Sequence, residues 1–195
     1  ITPPAAASNP ATATLTCTST SAVLTASGGG TYLWSTGGNS NTITVTTPNT
    51  YDVTVTDGVN GCTAIASAVV NQNTTPPVAS VTPATATLLC SATTATLTAG
   101  GGGSYLWSTG EVTTSITVNA ASTYPVTVTD ATNGCTATAS ATVSSIPPVT
   151  ALLAGTNVTC NGGADGSVDL TVGGGQSPFV FLWSNSAATE DISGI

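Results

Sequence analysis

The sequence lacks lysine, arginine, histidine and methionine altogether. Its 195 residues carry a formal net charge of -8, because every charged side chain is acidic. Without histidine the usual base of serine and cysteine hydrolases is missing, and without lysine there is no Schiff-base chemistry and no common phosphate-binding loop. Without cations the chain cannot displace counterions from nucleic-acid phosphates or bind anionic lipid headgroups. We therefore expect no enzyme activity, no catalytic residue, no cofactor and no nucleic-acid partner.

Long apolar runs are also missing, although the mean hydropathy is positive at +0.32. No stretch approaches the ~18 uninterrupted apolar residues of a transmembrane helix, because threonine and serine interrupt each run. We therefore expect no direct insertion into a membrane. The sequence begins without methionine or a basic, apolar leader, and we interpret it as a segment of a longer protein.

A repeat with an offset of 73 residues organises the chain. The matched landmarks are Pro3 with Pro76, Cys17 with Cys90, Trp34 with Trp107, Tyr51 with Tyr124, and Cys62 with Cys135. A third unit opens at Pro147 and contains Cys160 and Trp183, but it ends before its own second half. The sequence predicts the end of a preceding linker at 1–4, modules at 5–75 and 76–146, and a truncated third module at 147–195.

Within a module, apolar and polar residues alternate with a period of two. The segment 51–57 is typical, and turn-forming runs such as 27–30 and 57–61 separate such segments. Six or seven short strands in about 70 residues, with no helical pattern, predict an all-β fold of tandem, small antiparallel β-sandwiches. Pro125 lies inside one predicted strand, so we expect it at an edge or at a position without a ladder hydrogen bond.

The five cysteines follow the repeat. Cys17 and Cys62 are 45 residues apart, as are Cys90 and Cys135, which predicts one disulfide inside each module and a partner for Cys160 beyond the fragment. Closing such a loop stabilises a fold by roughly 4 kcal/mol in the chain-entropy model. Buried free thiols are the alternative. A disulfide in each module would indicate an oxidising, extracellular location at the cell surface.

Short sequence motifs in the modules resemble those of two known families. The string Tyr-Leu-Trp-Ser-Thr-Gly at 32–37 and 105–110, and Asn-Gly-Cys-Thr-Ala at 60–64, are similar to Ig-like, PKD-like modules of Bacteroidetes surface proteins. Residues 158–167 and Leu-Trp-Ser-Asn at 182–185 resemble the SprB repeat, named for a gliding-motility adhesin. Ser186 stands where that motif usually has glycine. The resemblance implies type IX secretion, a role in cell adhesion or in a long surface appendage, and no enzyme activity.

Aromatic side chains and carboxylates are the remaining candidates for a binding site. All but one of the nine aromatic residues, Phe179, occupy repeat-equivalent positions, which favours core packing over a sugar-binding platform. The predicted core residues are Tyr32, Trp34, Tyr51, Tyr105, Trp107, Tyr124 and Trp183, with Phe181 at the corresponding place in the third unit. Asp165 and Asp169, near Asn161, are weak calcium candidates without EF-hand spacing, and we predict no metal site.

These observations predict a structural stalk or repeat segment of a giant extracellular bacterial adhesin or surface filament. Its partners would be neighbouring repeats of the same chain and an unknown surface ligand. The low charge of the surface favours lateral contacts, and hence a homo-oligomer or a filament bundle. Two alternatives stay open: a self-assembling filament subunit of a surface appendage, and a glycan-binding module.

Overall fold

The computed structural model describes residues 2–195, which form strands, turns and loops without a helix. None of this range therefore offers a helix that could cross a membrane. The strands of the first repeat are β1 (Ala7–Asn9), β2 (Thr12–Thr16), β3 (Ala22–Ser27), β4 (Thr31–Trp34), β5 (Thr42–Val45), β6 (Asn49–Thr56) and β7 (Thr63–Asn73). Those of the second are β8 (Ser80–Thr82), β9 (Thr85–Leu88), β10 (Ala95–Gly100), β11 (Ser104–Trp107), β12 (Ser115–Val118), β13 (Ser122–Thr129) and β14 (Thr136–Ser145). The third segment has β15 (Thr150–Thr156), β16 (Ser167–Gly173) and β17 (Ile192–Ser193).

The first repeat is a sandwich of two sheets. One has the order β1-β3-β5 and the other β2-β7-β6-β4. Alternation along β6 buries Tyr51, Val53 and Val55, as expected for a strand with one face on the core. Their side chains share one apolar cluster with Leu24 of β3 and Trp34 of β4, so both sheets contribute to a single core.

The sheets are mixed, whereas the sequence predicted purely antiparallel ones. The fold class is all-β as predicted, but β2 runs parallel to β7, with Thr12 opposite Val69 and Thr16 opposite Asn73. The neighbouring pair, β6 with β7, is antiparallel. The period-two pattern could not reveal this difference, because a strand with one buried face alternates in the same way in either direction.

The second repeat has the same strand order, displaced along the chain. Its sheets are β12-β10-β8 and β11-β13-β14-β9, and β9 again runs parallel to β14, with Leu88 opposite Ser145. Trp107, Val126 and Val128 are buried, as are the equivalent residues of the first repeat.

Pro125 lies in β13, a central strand rather than an edge strand. Its carbonyl oxygen accepts a hydrogen bond from the Ser108 amide at 2.9 Å, just past the end of β11. The equivalent residue in the first repeat is Asp52, whose amide donates to the Ser35 hydroxyl at 3.3 Å. The hydrogen bond that proline gives up relative to Asp52 is thus one to a side chain, which agrees with the second of the two placements predicted.

The third segment folds differently from the first two. Its strands form one antiparallel sheet of order β15-β16-β17. Every residue of β15 is exposed, with Leu152 at 70% and Leu153 at 58%. Within residues 147–195 there is no counterpart of β6 and β7, the strands that follow the tryptophan in the first repeat and complete its core.

Two compact units can be distinguished in the chain. One comprises the segment that ends at Ser80 together with 99–114 and 125–139, and the other comprises 81–98, 115–124 and 140–195. The first unit contains β1–β7, and the second contains β15–β17. The module boundaries at 75/76 and 146/147 stay predictions.

Candidate functional site

A disulfide joins the first repeat to the second, and it is not either of the predicted pairs. Cys17 is bonded to Cys135, 118 residues further along the chain, with 5.1 Å between the Cα atoms. Cys62, Cys90 and Cys160 are free thiols. The predicted pairs Cys17–Cys62 and Cys90–Cys135 are therefore wrong. The predicted partner of Cys160 lies outside this sequence and stays a prediction.

The parallel pairing of β2 explains why a bond inside the first repeat cannot form. Cys17 follows Thr16, which lies opposite Asn73 at the end of β7. Cys62 precedes Thr63, at the start of the same strand. A strand of 11 residues is about 35 Å long, whereas bonded cysteines have Cα atoms less than about 7 Å apart. The two cysteines of a repeat thus lie at opposite ends of its sheet.

Asn133 lies at the centre of the contacts around this disulfide. These contacts, which involve Cys17, Asn73, Thr75, Asn133 and Cys135, are called the joint below. Its side-chain amide nitrogen donates to Asn73 Oδ1 at 3.0 Å and to the Thr75 carbonyl at 2.9 Å. Its Oδ1 accepts from the Cys135 amide at 2.8 Å, and its own carbonyl accepts from the Cys17 amide at 3.1 Å. Asn133 is only 3% exposed, so these bonds satisfy an amide that would otherwise be costly to bury.

The turn that presents Cys135 is held by Asp130. Its Oδ1 accepts from the Thr132 amide at 2.7 Å and from the Asn133 amide at 3.4 Å. The hydrogen bond from the Thr132 backbone is the main reason that the pKa of Asp130 is lower than the ordinary 3.8. Gly134 has a φ of +68°, which favours glycine, and a Cβ there would lie 2.4 Å from Thr18 Cγ2. Glycine thus allows the turn to approach the chain next to Cys17.

The equivalent turn of the first repeat has the same internal structure but is more exposed. Asn60 Oδ1 accepts from the Cys62 amide at 2.8 Å, and Asp57 Oδ1 accepts from the Val59 amide at 2.7 Å. The Asn60 amide nitrogen reaches the Thr2 carbonyl at 3.5 Å, a contact that corresponds to Asn133 with Thr75. Asn60 is exposed and Cys62 is half-buried, whereas Cys135 is 1% exposed.

The predicted core aromatics differ in burial. Trp34 and Trp107 are 1% exposed, Tyr51 is 5% and Tyr124 is 7% exposed. Tyr32 and Tyr105 are half-buried. The hydroxyls of Tyr51 and Tyr124 donate to the carbonyls four residues earlier, at 2.9 and 2.8 Å, which satisfies their polar ends.

Trp183 was predicted as a core residue, yet it is only half-buried. It keeps the hydrogen bond of its counterparts, because in all three tryptophans the indole nitrogen donates to the carbonyl six residues later. Its apolar surface instead borders an open groove of about 310 Å³. The groove is lined by Ala151, Leu153, Leu170, Val180, Phe181, Leu182 and Trp183.

The two calcium candidates, Asp165 and Asp169, lie in different local surroundings. The carboxylate of Asp165 accepts hydrogen bonds from Thr159, at 3.0 Å from its amide and 2.5 Å from its hydroxyl. The Thr159 hydroxyl is the main reason that the pKa of Asp165 is lowered. Asp169 lies on β16 opposite Ala154. Among residues 2–195 no group of three cysteine, aspartate or glutamate side chains could hold a metal ion.

Sequence reasoning missed Asn133 as part of a site. The available signal was the Asn-Gly-Cys string, which recurs at 60–62 and 133–135. An asparagine two residues before each second cysteine is typical of a side chain that shapes a turn. The sequence could not show that one of the two copies is buried and bonded to Asn73 and Thr75 at the end of the first repeat.

Comparison with known proteins gives a family match and distant structural similarity. No curated protein matches the chain. The three N-terminal domains of the highly immunogenic outer capsid protein (Hoc) of bacteriophage RB49 align at 19% identity and a TM-score of 0.45, over 89% of this chain and 69% of that one. The N-terminal four Ig domains of Dscam1 isoform 6.9 align at 14% identity and a TM-score of 0.33, over 69% of this chain and 42% of that one. Murine CEACAM1b aligns at 13% identity and a TM-score of 0.31, over 72% of this chain and 98% of that one. Residues 154–188 match the family model of the SprB repeat.

Proposed function

We propose that this chain is a structural segment of an extracellular, adhesin-type repeat protein that transmits mechanical load. The observation that carries the proposal is the disulfide between Cys17 of the first repeat and Cys135 of the second. A bond between repeats does little for the core of either repeat alone, but it holds consecutive repeats together under tension. The SprB-repeat match at 154–188 and the all-β fold support the same class of protein.

The load path through the chain follows from the position of this bond. When the two termini are pulled apart, tension passes from Cys17 to Cys135 through the disulfide and bypasses the residues between them. Only the segments outside the bonded loop can then extend. A disulfide also implies an oxidising compartment, which supports a surface or extracellular location and, with the SprB-like segment, export of the type IX kind from a Bacteroidetes cell.

Single-molecule stretching of the full chain from its termini tests this role. Because the cysteines are 118 residues apart, the oxidised chain should extend about 400 Å less than the reduced chain at ~3.5 Å per residue. The double variant Cys17→Ser/Cys135→Ser should extend fully in both conditions. Equal extension of the parent with and without reductant would contradict the load-bearing joint.

Lateral assembly into a filament bundle is a second candidate. Leu33 and Ile65 are 57% and 68% exposed, and both are neighbours of Thr54 on the outer face of the β4, β6 and β7 strands. A neutral surface with such side chains buries few charges on association, so the contact should be nearly insensitive to salt.

Sedimentation of the full chain at low and high ionic strength tests this assembly. We expect association in both conditions, and Ile65→Thr should weaken it. The second repeat already has Thr138 at the equivalent position, so this substitution suits the strand. A monomer at every concentration and salt level would contradict lateral assembly and would favour a stalk made of a single chain. A glycan-binding module is less well supported, since none of the nine aromatic side chains is fully exposed.

A further inference from the structure

The third segment has an edge strand that is longer than its counterparts in the repeats. Its sheet, β15-β16-β17, corresponds to the smaller sheets β1-β3-β5 and β12-β10-β8, because in each of them the middle strand is followed by glycines and then by the tryptophan motif. β15 therefore corresponds to β1 and β8, and like them it lies at the edge of its sheet. It has 7 residues, whereas β1 and β8 have 3 each. A second sheet packed as in the repeats would cover one face of β15 and leave its edge free.

The repeats limit this edge, and the third segment does not. β1 and β8 are each followed directly by a proline, Pro10 and Pro83, which has no N–H to donate to a ladder. Short length, proline and charged side chains are the usual features that prevent an edge strand from pairing with another chain. β15 has neither proline nor charge, and no strand among residues 2–195 pairs with its free side. Its edge therefore suits the addition of a further strand.

The outer face of β15 also exposes a large apolar side chain. Ala151 and Leu153 line the groove beside Trp183. Because side chains alternate along a strand, Leu152 and Ala154 lie on the opposite face. Leu152 is 70% exposed there, and its exposure does not depend on what covers the groove.

The sequence of β15 is nearly the same in both directions, Thr-Ala-Leu-Leu-Ala-Gly-Thr forwards and Thr-Gly-Ala-Leu-Leu-Ala-Thr backwards. Two copies can therefore pair antiparallel over the whole strand, centred on Leu153. The opposed residues are then Thr150 with Thr156, Ala151 with Gly155, and Leu152 with Ala154. Each outer leucine meets a small side chain, the terminal threonines can bond to each other, and no like charges face each other. This self-complementarity favours a second copy over an unrelated chain.

We propose that β15 pairs antiparallel with β15 of a second copy of this chain, around a two-fold axis near Leu153. The pairing joins the two three-stranded sheets into one continuous sheet. Both copies use the same surface, so this contact closes at a dimer and does not grow further. It adds a specific contact to the lateral assembly considered above, on a different surface from Leu33 and Ile65, and it does not depend on the load-bearing role.

The proposed contact is small. Its 7 residues a side are fewer than the ~20–30 of a stable interface. We therefore expect a weak, reversible dimer, which a crosslink between opposed residues can trap.

Two cysteine variants of the full chain test the register. Both have Cys62→Ser, Cys90→Ser and Cys160→Ser, so that the added thiol is the one free thiol. One also has Leu152→Cys, and the other has Ala154→Cys. In a glutathione redox buffer we expect the mixture to give several-fold more disulfide-linked dimer than either variant alone. Opposed residues have Cα atoms about 5 Å apart, whereas two copies of the same variant place their thiols diagonally, about 7–8 Å apart and beyond the reach of a disulfide.

Sedimentation measures the dimer without a crosslink. Leu152→Lys should raise the dissociation constant of the dimer about tenfold, because it removes an apolar side chain from the contact. The matched control is Val59→Lys, since Val59 is 98% exposed in the first repeat and lies outside β15. It should leave the dissociation constant unchanged.

Three results would each overturn the proposal, provided that the variants keep the circular dichroism spectrum of the parent. They are equal linkage in the mixture and in the separate variants, no linked dimer from the mixture, and association that Ile65→Thr weakens but Leu152→Lys does not. The last result would assign the contact to the outer face of β4, β6 and β7. None of them changes the stretching behaviour predicted for the chain, so a failure here is distinct from a failure of the load-bearing role.

Discussion

Asn133 shows how one polar side chain decides between two otherwise similar turns. Both Asn60 and Asn133 cap the amide two residues ahead, so that hydrogen bond is common to the turn and not specific to the joint. Only Asn133 adds two close bonds from its amide nitrogen, and only Asn133 is buried. The joint is therefore distinguished by the burial of its asparagine, because the equivalent asparagine of the first repeat is exposed.

The variant Asn133→Ala should destabilise the first unit by about 2–3 kcal/mol, because it leaves the buried Cys135 amide without an acceptor and removes the hydrogen bonds to Asn73 and Thr75. The matched variant Asn60→Ala should cost about 1 kcal/mol or less, since water replaces the lost bonds at an exposed site. Urea unfolding of the oxidised proteins measures both values. An equal loss in the two variants would show that the asparagine only shapes its turn.

At the scale of the strand, the tryptophan motif is shared by three segments but buried in two. Trp107 is 1% exposed, whereas Trp183 is half-buried beside an open groove. Trp107→Ala should therefore cost about 3–5 kcal/mol, as truncation of a fully buried large aromatic does. Trp183→Ala should cost clearly less, because part of its surface already contacts water. Thermal unfolding followed by circular dichroism compares the two, and a greater loss for Trp183 would contradict the burial described.

The strands and the inward side chains could be predicted from the alternation of apolar and polar residues. Tyr51, Val53, Val55 and their equivalents in β13 are examples, since a half-buried strand of either direction requires this pattern. The direction of β2 could not be predicted, and the disulfide depends on it. Two equal spacings of 45 residues favoured bonds within repeats, but the parallel register of β2 with β7 separates those cysteines by the length of a strand.

At the scale of the whole molecule, stability should respond to acid in one direction only. Hydrogen bonds from Thr109, Thr132 and Thr159 lower the pKa of Glu111, Asp130 and Asp165 respectively in the folded state. A lowered pKa means that the folded state binds protons more weakly than the unfolded state. The stabilisation is therefore present above the ordinary values of 4.5 for Glu111 and 3.8 for the two aspartates, and it is lost as the pH falls below them.

No histidine is present to titrate near neutrality. We therefore expect the free energy of unfolding to be flat between about pH 5 and 7 and to fall below about pH 4. Urea unfolding across this range measures it. The variants Asp130→Asn and Asp165→Asn should each reduce the acid-dependent part of the free energy of unfolding, because each removes a carboxylate whose pKa is lowered in the folded state. A steep change between pH 5 and 7 would contradict the expectation.

The whole-molecule account depends on the single bond between repeats. In the chain-entropy model a loop of this length stabilises the folded state by about 5 kcal/mol, which is large for a protein of this size. One bond also predicts that reduction adds two hydrogens to the mass of the monomer, whereas the two bonds expected from the 45-residue spacings would add four.

Peptide mapping without reductant measures the pairing most directly. Cleavage on the N-terminal side of aspartate places Cys17 in 1–51, Cys62 and Cys90 in 57–129, and Cys135 and Cys160 in 130–164. The structure predicts that 1–51 is linked to 130–164 through Cys17 and Cys135 in the monomer. Linkage of 57–129 to both of the other fragments, through Cys17–Cys62 and Cys90–Cys135, would contradict it.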